Sequence, residues 1–161
     1  MNIAYLLIGG NLGDRFANLN IAQKLIHQKL GIISQTSSIY ETAAWGYTAQ
    51  PDFLNQAVCI ETSYNAFELL LQILKLEKEM GRTRDLSMGP RIIDIDIIYF
   101  NNEILNDTTL IVPHPKITDR RFVLLPMVEI APDYIHPILL KSNTILLKEC
   151  GDSLAVYKKA P

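Results

Sequence analysis

The segment from residue 92 to residue 98 constrains the fold more than any other part of the chain. It reads Ile-Ile-Asp-Ile-Asp-Ile-Ile, and β-branched residues that alternate with polar ones predict a strand. Because the side chains of a strand alternate between its faces, the central isoleucines share one face and Asp94 and Asp96 share the other. The isoleucine face needs a covering layer. The opposite face presents two carboxylates whose Cα atoms lie about 7 Å apart.

The other predicted elements give this strand its place in a sheet. In chain order they are a strand over residues 3–8, a helix over 16–30, strands over 32–45 and 53–63, a helix from residue 65 that stops before Gly81, and the strand over 92–100. This βαββαβ order predicts an α+β fold of the ferredoxin-like type, an antiparallel sheet with both helices on one face. We expect the last third of the chain to be a C-terminal extension at an edge or over the open face.

Composition limits the classes of protein to consider. With 161 residues, 48% of them hydrophobic, the chain suffices for one domain over 1–161. Fifteen basic residues against 17 acidic ones give a net charge of -2, so we expect no nucleic-acid partner. No signal-peptide pattern is present, and no apolar run approaches the roughly 20 residues that span a bilayer. Two cysteines are too few for a disulfide scaffold, which favours the reducing cytoplasm.

An arginine-rich loop precedes the carboxylate-bearing strand and contains Arg82, Arg84 and Arg91. Two like charges on a half-buried face need a cation, and Mg²⁺ is typically held by one or two carboxylates together with phosphate oxygens. Arginine donors neutralise phosphate charge during transfer, so the loop and the strand together indicate phosphoryl chemistry with magnesium at Asp94 and Asp96. The alternatives are an edge strand protected from aggregation by aspartates and a solvated charged loop.

Glu77 lies near the end of the second predicted helix, which feeds the arginine loop. It continues an apolar row formed by Phe67, Leu70, Leu71 and Leu74. From there it is placed to support an arginine or a metal-bound water. The alternative is an ordinary surface glutamate.

Two further groups of residues fit a heterocycle and a nucleotide. Trp45 and Phe53 are suited to sandwich a flat ring, and the Asn55 amide offers a donor and an acceptor to its edge. The alternative is that these aromatics belong to the core. His114 stands between two prolines and precedes Arg120, either as part of a phosphate site or as a solvated basic surface.

Four motifs occur along the chain in the order typical of one enzyme family. They are Ile8-Gly9-Gly10-Asn11-Leu12-Gly13, Gln50-Pro51-Asp52-Phe53-Leu54-Asn55, Gly89-Pro90-Arg91 running into Asp94-Ile95-Asp96, and Val112-Pro113-His114. Over nearly the whole chain they resemble the 6-hydroxymethyl-7,8-dihydropterin pyrophosphokinase family of folate biosynthesis. The resemblance implies transfer of the β,γ-pyrophosphoryl unit of ATP to the pterin hydroxymethyl oxygen, release of AMP, and two Mg²⁺ ions bridged by Asp94 and Asp96.

The resemblance also implies roles for individual positions. Those expected to hold the pterin are Thr42, Ala43, Trp45, Phe53, Asn55 and Phe122. Those expected around ATP are Glu77, Arg84, Arg91, Ile97, His114 and Arg120. Arg82 and Arg91 are the implied catalytic residues, which neutralise charge as the loop closes. The chain departs from the family at Met88, where a tryptophan is usual, and this departure concerns how the loop seals the site.

Two other functions fit parts of the sequence. A two-metal nucleotidyltransferase also uses paired aspartates on a sheet of this kind. An RNA-recognition-like binding module shares the strand order, but its second motif is missing here and the isoelectric point is about 5.9. We expect a monomer whose partners are the two small substrates.

Overall fold

A computed structural model describes residues 1–44, 49–83 and 89–159 of the chain. Its elements are, in chain order, β1 (Asn2–Gly10), α1 (Arg15–Lys29), β2 (Ile32–Thr36), β3 (Tyr40–Thr42), β4 (Phe53–Thr62), α2 (Ala66–Glu79), β5 (Asp94–Phe100), β6 (Leu105–Asn106), β7 (Ile111–Val112), α3 (Arg121–Ile130), α4 (Asn143–Glu149) and β8 (Val156–Lys158). Among the described residues, no helix has the length and apolar character needed to cross a membrane.

The main sheet is antiparallel, with strands in the order β5-β1-β4-β3-β8, while β2 also pairs with β4. The predicted strand over residues 32–45 is therefore two strands along one edge of β4. Ser37 lies at the break, where its hydroxyl accepts a hydrogen bond from Ala57 N at 2.9 Å and its own N–H donates to Ala57 O. These bonds satisfy Ala57 at the interruption between β2 and β3.

One face of the sheet is sealed by α1 and α2, as the βαββαβ order predicts. The cap of α2 is also as the sequence indicates, because Asn65 and Glu68 form a reciprocal capping box. The predicted apolar row of α2 was wrong. Its core side carries Ala66, Leu69, Ile73 and Leu76, whereas Phe67, Leu71 and Leu74 are 40%, 60% and 38% exposed. The helix is apolar on two sides, so helical spacing alone did not select the buried one.

The opposite face is covered only in part. The C-terminal extension both packs on this face and adds to an edge, as its helices α3 and α4 contact the sheet while β8 pairs with β3. Leu7, Ala57 and Tyr99 of the sheet form an apolar cluster with Leu124 and Leu146 of the two helices. Beside this cluster, the ends of β1, β4 and β5 line an open cavity.

Candidate active site

The cavity brings most of the predicted site residues together. It is lined by Leu7, Gly9, Thr42, Ala43, Phe53, Asn55, Arg91, Asp94, Asp96, Arg120 and Phe122. Five of the six predicted pterin residues therefore share one cavity with the predicted metal ligands. The sixth, Trp45, lies outside the described residues.

Two glycines at the end of β1 allow the cavity walls to approach closely. A Cβ atom on Gly9 would lie 2.4 Å from Asn55 Oδ1 and 2.8 Å from Leu54 O. One on Gly10 would lie 2.2 Å from the carbonyl oxygen of Ile92. All three distances are shorter than any normal carbon–oxygen contact, so these positions require glycine and bring β1 against Asn55 and the segment before β5.

Asn11 organises the loops around the cavity, a role that the sequence analysis missed. This residue is 2% exposed, and its Oδ1 accepts from Arg91 N at 2.9 Å. Its Nδ2 donates to Gln50 Oε1 and to Pro51 O, both at 2.9 Å. One side chain thus ties the end of β1 to two of the motif segments. The signal was present, because Asn11, Gln50-Pro51 and Arg91 all belong to the four motifs.

The two aspartates stand in different electrostatic environments. Asp94 Oδ1 accepts from Arg82 Nη1 at 2.8 Å, and Asp94 Oδ2 lies 3.5 Å from Arg91 Nε. The backbone of Asp96 pairs with Leu7 in the sheet, but no hydrogen bond or ion pair within 4 Å reaches its carboxylate from the residues that the structure describes. Burial raises the pKa of Asp96, and the nearby carboxylates of Asp94 and Glu77 raise it further, while Arg120 and Arg91 oppose them. Asp96 is therefore the carboxylate that most needs additional positive charge.

Glu77 is buried rather than on the surface, so the surface alternative was wrong. It is 2% exposed, and its Oε2 accepts from Ile95 N at 2.8 Å and from Arg82 Nη1 at 2.9 Å. The bond to Ile95 reaches the backbone between the two aspartates. Burial lowers the pKa of Arg82, but Asp94 and Glu77 outweigh this effect and raise it. Glu77 and Arg82 thus form a buried support behind Asp94.

Two other arginines lie beside the aromatic rings of the cavity. The guanidinium carbon of Arg91 is 4.8 Å from the centre of the Phe53 ring, and that of Arg120 is 5.6 Å from the centre of the Phe122 ring. Arg91 Nη1 also donates to Gly89 O at 2.6 Å. Phe53 and Phe122 therefore each have a cation beside their ring in the same cavity.

A second depression lies at the free edge of β5 and meets the first cavity at Asp96. Its lining includes Leu70, Ile97, Thr109, His114 and Pro115. His114 N donates to Ile98 O at 3.0 Å, and His114 Nδ1 accepts from Lys116 N at 3.1 Å. Burial lowers the pKa of His114 to about 4, so the imidazole is neutral near pH 7 with its proton on Nε2.

The predicted nucleotide residues are therefore divided between several places. Ile97 and His114 line the second depression, Arg91 and Arg120 line the first cavity, and Glu77 is buried behind Asp94. Arg84 lies outside the described residues.

The residues present fit a magnesium site that is completed by a ligand. Within the ranges 1–44, 49–83 and 89–159, no cluster of three or more histidine, cysteine or acidic residues forms a complete metal cage. Asp94 and Asp96 nevertheless offer carboxylate oxygens to one cavity, and Mg²⁺ commonly takes one or two carboxylates with phosphate oxygens and water. The poorly compensated charge of Asp96 is consistent with such a cation.

Comparisons with known proteins identify the family of the chain. The profile of the 7,8-dihydro-6-hydroxymethylpterin-pyrophosphokinase family matches residues 5–132. The 2-amino-4-hydroxy-6-hydroxymethyldihydropteridine pyrophosphokinase of Bacillus subtilis (strain 168) is 49% identical over 130 residues, 80% of this chain and 78% of that protein. The protein of the same name from Aquifex aeolicus (strain VF5) is 42% identical over 141 residues, 88% of each chain.

Solved structures show the same fold in a longer protein. A crystal structure of Plasmodium falciparum HPPK-DHPS with pterin and p-hydroxybenzoate aligns with a TM-score of 0.76 and 20% sequence identity. The alignment covers 92% of this chain but 43% of that one, and at this identity it supports the fold alone.

Together these matches confirm the predicted ferredoxin-like α+β fold and the predicted activity, an ATP-dependent pyrophosphokinase of folate synthesis. Neither the nucleotidyltransferase nor the RNA-binding alternative gains support from them. With 128 of its 161 residues inside the matched range 5–132, the chain belongs to the 7,8-dihydro-6-hydroxymethylpterin-pyrophosphokinase family.

Proposed function

We propose that this chain transfers the β,γ-pyrophosphoryl group of ATP to the hydroxymethyl oxygen of 6-hydroxymethyl-7,8-dihydropterin, giving AMP and the pterin diphosphate. The observation that carries the proposal is the shared cavity, in which an aromatic, amide-bearing end lies beside two aspartates and two arginines. An acceptor bound at the first end would present its hydroxymethyl group to the second. The geometry thus matches a transfer between a flat heterocycle and a polyphosphate.

The pterin end of the cavity combines apolar rings with a buried amide. Phe53 and Phe122 line it, and both rings suit the faces of a flat heterocycle. Asn55 is 6% exposed and carries a donor and an acceptor that match the edge of a pyrimidine ring. We assign these three residues, with Thr42, Ala43 and Trp45, to the pterin.

The phosphate end of the cavity is supplied with positive charge by Arg91 and Arg120. Within the part of the chain that the structure describes, the buried Nε–H of Arg91 makes no hydrogen bond. Asp94 Oδ2 lies 3.5 Å from this nitrogen as an ion pair without forming a hydrogen bond, and a phosphate oxygen would supply the missing acceptor. We therefore assign Arg91 and Arg120 to neutralising the charge that shifts toward AMP during transfer.

Arg82 is better suited to hold Asp94 than to contact phosphate. Its Nη1 is shared by Glu77 and Asp94, and its side chain is only 13% exposed. Both of these ion pairs use Nη1, whereas the buried Nε–H of Arg82 makes no hydrogen bond within the described part of the chain. Its predicted catalytic role stays a prediction, and the contacts support a positioning role.

Asp94 and Asp96 are the residues that would hold the two Mg²⁺ ions. Bound between these carboxylates and the polyphosphate, the metal would lower the negative charge that the acceptor oxygen meets. Arg82 and Glu77 contribute by fixing Asp94 and the backbone of Ile95.

The second depression suits the nucleoside side of ATP. Ile97 offers an apolar surface there, and the Nε2–H of neutral His114 is available to a phosphate oxygen. Asp96 lines both the first cavity and the second depression, which supports a metal site between the proposed positions of nucleotide and pterin. Glu77 is buried away from this surface, so we assign it to support and not to ATP itself. Arg84 remains a predicted nucleotide contact.

The test is a product assay with Mg²⁺, ATP and 6-hydroxymethyl-7,8-dihydropterin. We expect AMP and a pterin diphosphate in equal amounts. ADP as the nucleotide product would contradict pyrophosphoryl transfer, and release of pyrophosphate would favour the nucleotidyltransferase.

The proposal also includes the oligomeric state and the cellular location of the enzyme. We expect a monomer with one domain over 1–161. Its described cysteines, Cys59 and Cys150, are free, in keeping with the cytoplasm.

A further inference from the structure

Residues 152–159, which include β8, form a segment that we call the strap. It lies beyond residues 5–132, the range that the family profile matches. None of its described residues belongs to either apolar cluster of the protein. The strap therefore adds little to the hydrophobic core, and its contacts need another explanation.

The first end of the strap holds the start of α3. Asp152 Oδ2 accepts from Arg121 N at 3.0 Å, and Asp152 Oδ1 accepts from Leu154 N at 2.9 Å. Arg120, at the N-terminal cap position of α3, makes no capping hydrogen bond through its side chain. The Asp152 carboxylate thus caps the helix from outside, where negative charge is favourable. The residues on either side of Arg121 are Arg120 and Phe122, both of which line the cavity.

The second end of the strap holds the opposite wall. β8 pairs antiparallel with β3, so that Val156 lies opposite Thr42. The Thr42 hydroxyl donates to Ala155 O at 3.1 Å, and Lys159 N donates to Ile39 O at 2.8 Å. β3 has three residues, and without β8 its pairing within the sheet would be with β4 on one side alone.

Side chains strengthen this second attachment. Lys159 Nζ donates to Glu41 Oε1 at 3.1 Å, and Glu41 also pairs with Arg15 at the start of α1. Both cationic partners lower the pKa of the Glu41 carboxyl, Arg15 more than Lys159. The end of the strap is therefore attached to the residue that directly precedes Thr42.

We propose that the strap is a positioning element of the pterin cavity, which holds the Thr42–Ala43 wall and the Arg120–Phe122 wall in register. The proposal deepens the proposed function and rests on it. Because the strap touches the cavity only through other residues, its loss should weaken pterin binding more than it slows the chemical step. The second depression, which we assign to ATP, lies at the other edge of the sheet along β5. Loss of the strap should therefore change ATP binding less than pterin binding.

Two variants each remove one of the two attachments of the strap. A chain that ends at Ala155 loses β8 but keeps Asp152, and Asp152→Ala loses the helix cap but keeps β8. For the shortened chain we expect the pterin KM to rise about tenfold, and for Asp152→Ala about fivefold, with the ATP KM and kcat within about twofold of the full chain. Asp152→Asn keeps an oxygen acceptor for Arg121 N, so it should restore most of the pterin affinity.

Asp133→Ala is the matched control, because Asp133 is an exposed carboxylate in the same third of the chain and should leave all constants unchanged. Amide hydrogen exchange supplies a readout that needs no substrate. Exchange should become faster over residues 40–44 in the shortened chain and over 120–123 in Asp152→Ala, and stay unchanged over β1.

The outcomes distinguish this proposal from the proposed function. If the full chain forms AMP while the shortened chain and Asp152→Ala keep its pterin KM, the strap proposal is wrong and the function stands. If the full chain forms no AMP, the function fails, and unchanged exchange over 40–44 and 120–123 would overturn the strap as well. Should the shortened chain not fold, the Asp152→Ala and Asp152→Asn pair decides.

Discussion

The two faces of the sheet are closed by different means. On one face, α1 and α2 cover side chains such as Leu6, Ile8 and Ile95, which are no more than 4% exposed. On the other face, α3 and α4 cover only part of the sheet, and the cavity with Asp94 and Asp96 occupies the rest. β5 takes part in both because its side chains alternate.

This difference separates the sources of stability from the sources of chemistry. The face sealed by α1 and α2 is stabilised by burial of apolar side chains. This stabilisation is proportional to the buried area and needs no partner of a given charge. On the open face, apolar burial under α3 and α4 stops beside the cavity, where charge pairs such as Arg82–Asp94 leave polar atoms available to a ligand. Changes at the cavity should therefore lower activity far more than they lower stability, and changes on the sealed face should do the reverse.

The strongest test of this separation is to neutralise the two aspartates one at a time. We expect both Asp94→Asn and Asp96→Asn to lower kcat/KM by at least about 100-fold, because each removes a proposed metal ligand. Their effects on stability should differ. Asp94→Asn loses a charge paired with Arg82 and should lower the unfolding temperature, whereas Asp96→Asn relieves repulsion from Asp94 and Glu77 and should not lower it.

Ile8→Val on the sealed face is the control for this pair. Ile8 is fully buried and lies opposite Ile95 across β1 and β5. We expect a loss of about 1 kcal/mol in the free energy of unfolding with unchanged kinetics. The separation of the two faces would be refuted if Ile8→Val abolished activity or if both aspartate variants turned over normally.

Glu77 tests the boundary between the faces, since it extends from α2 on the sealed side to Arg82 and the backbone of β5. Glu77→Ala should cost about 2–4 kcal/mol of unfolding free energy, because the N–H of Ile95 and the Arg82 guanidinium lose a buried acceptor. Glu77→Gln, which keeps one acceptor oxygen, should cost less. Denaturant unfolding measures both values.

Glu79→Ala is the matched control on the same helix. The Glu79 side chain is 51% exposed and pairs with Lys29, so its loss should have little effect. Equal losses for the two alanine variants would show that Glu77 is not a buried support. If Glu77→Gln raised the ATP KM strongly and left stability unchanged, Glu77 would instead be a residue that contacts ATP, as the resemblance implies.

The difference between local and long-range contacts explains how much of the fold and of the site could be predicted from the sequence. Alternation in β5 predicted which side chains face the cavity, and four motifs predicted which segments meet there, because both signals are local. The buried side of α2 was not predictable from spacing, since apolar residues occupy two sides of that helix. The burial of Glu77 depends on the hydrogen bond to Ile95 N, a contact between elements that no local pattern encodes.

Other features escaped prediction for similar reasons. Asn11 connects segments 39 and 80 residues away, and although all three segments belong to the motifs, the motifs do not say which side chain joins them. The break between β2 and β3 depends on Ser37 pairing with Ala57 across the sheet. The strap lies outside the motifs, so the resemblance was silent about it.

The smallest expected effect concerns His114, which lies where the open face meets the edge of β5. Burial is the main cause that lowers its pKa, Arg120 and Lys116 also lower it, Asp94 opposes them, and the result is a pKa of about 4. In the unfolded chain the imidazole regains a pKa near 6.5, so between these values the unfolded chain binds more protons than the folded one. Stability should therefore fall as the pH drops from 6.5 toward 4.

His114→Gln should remove this contribution, so that its unfolding free energy declines less steeply than that of the unaltered chain over the same range. NMR titration of the His114 ring protons gives the direct value, and a midpoint at or above 6.5 would contradict the burial that we assign to the second depression. A midpoint well below 6.5 would show that His114 is shielded from water. The dry environment of the sealed face would then extend to the edge of β5, where the nucleotide is proposed to bind.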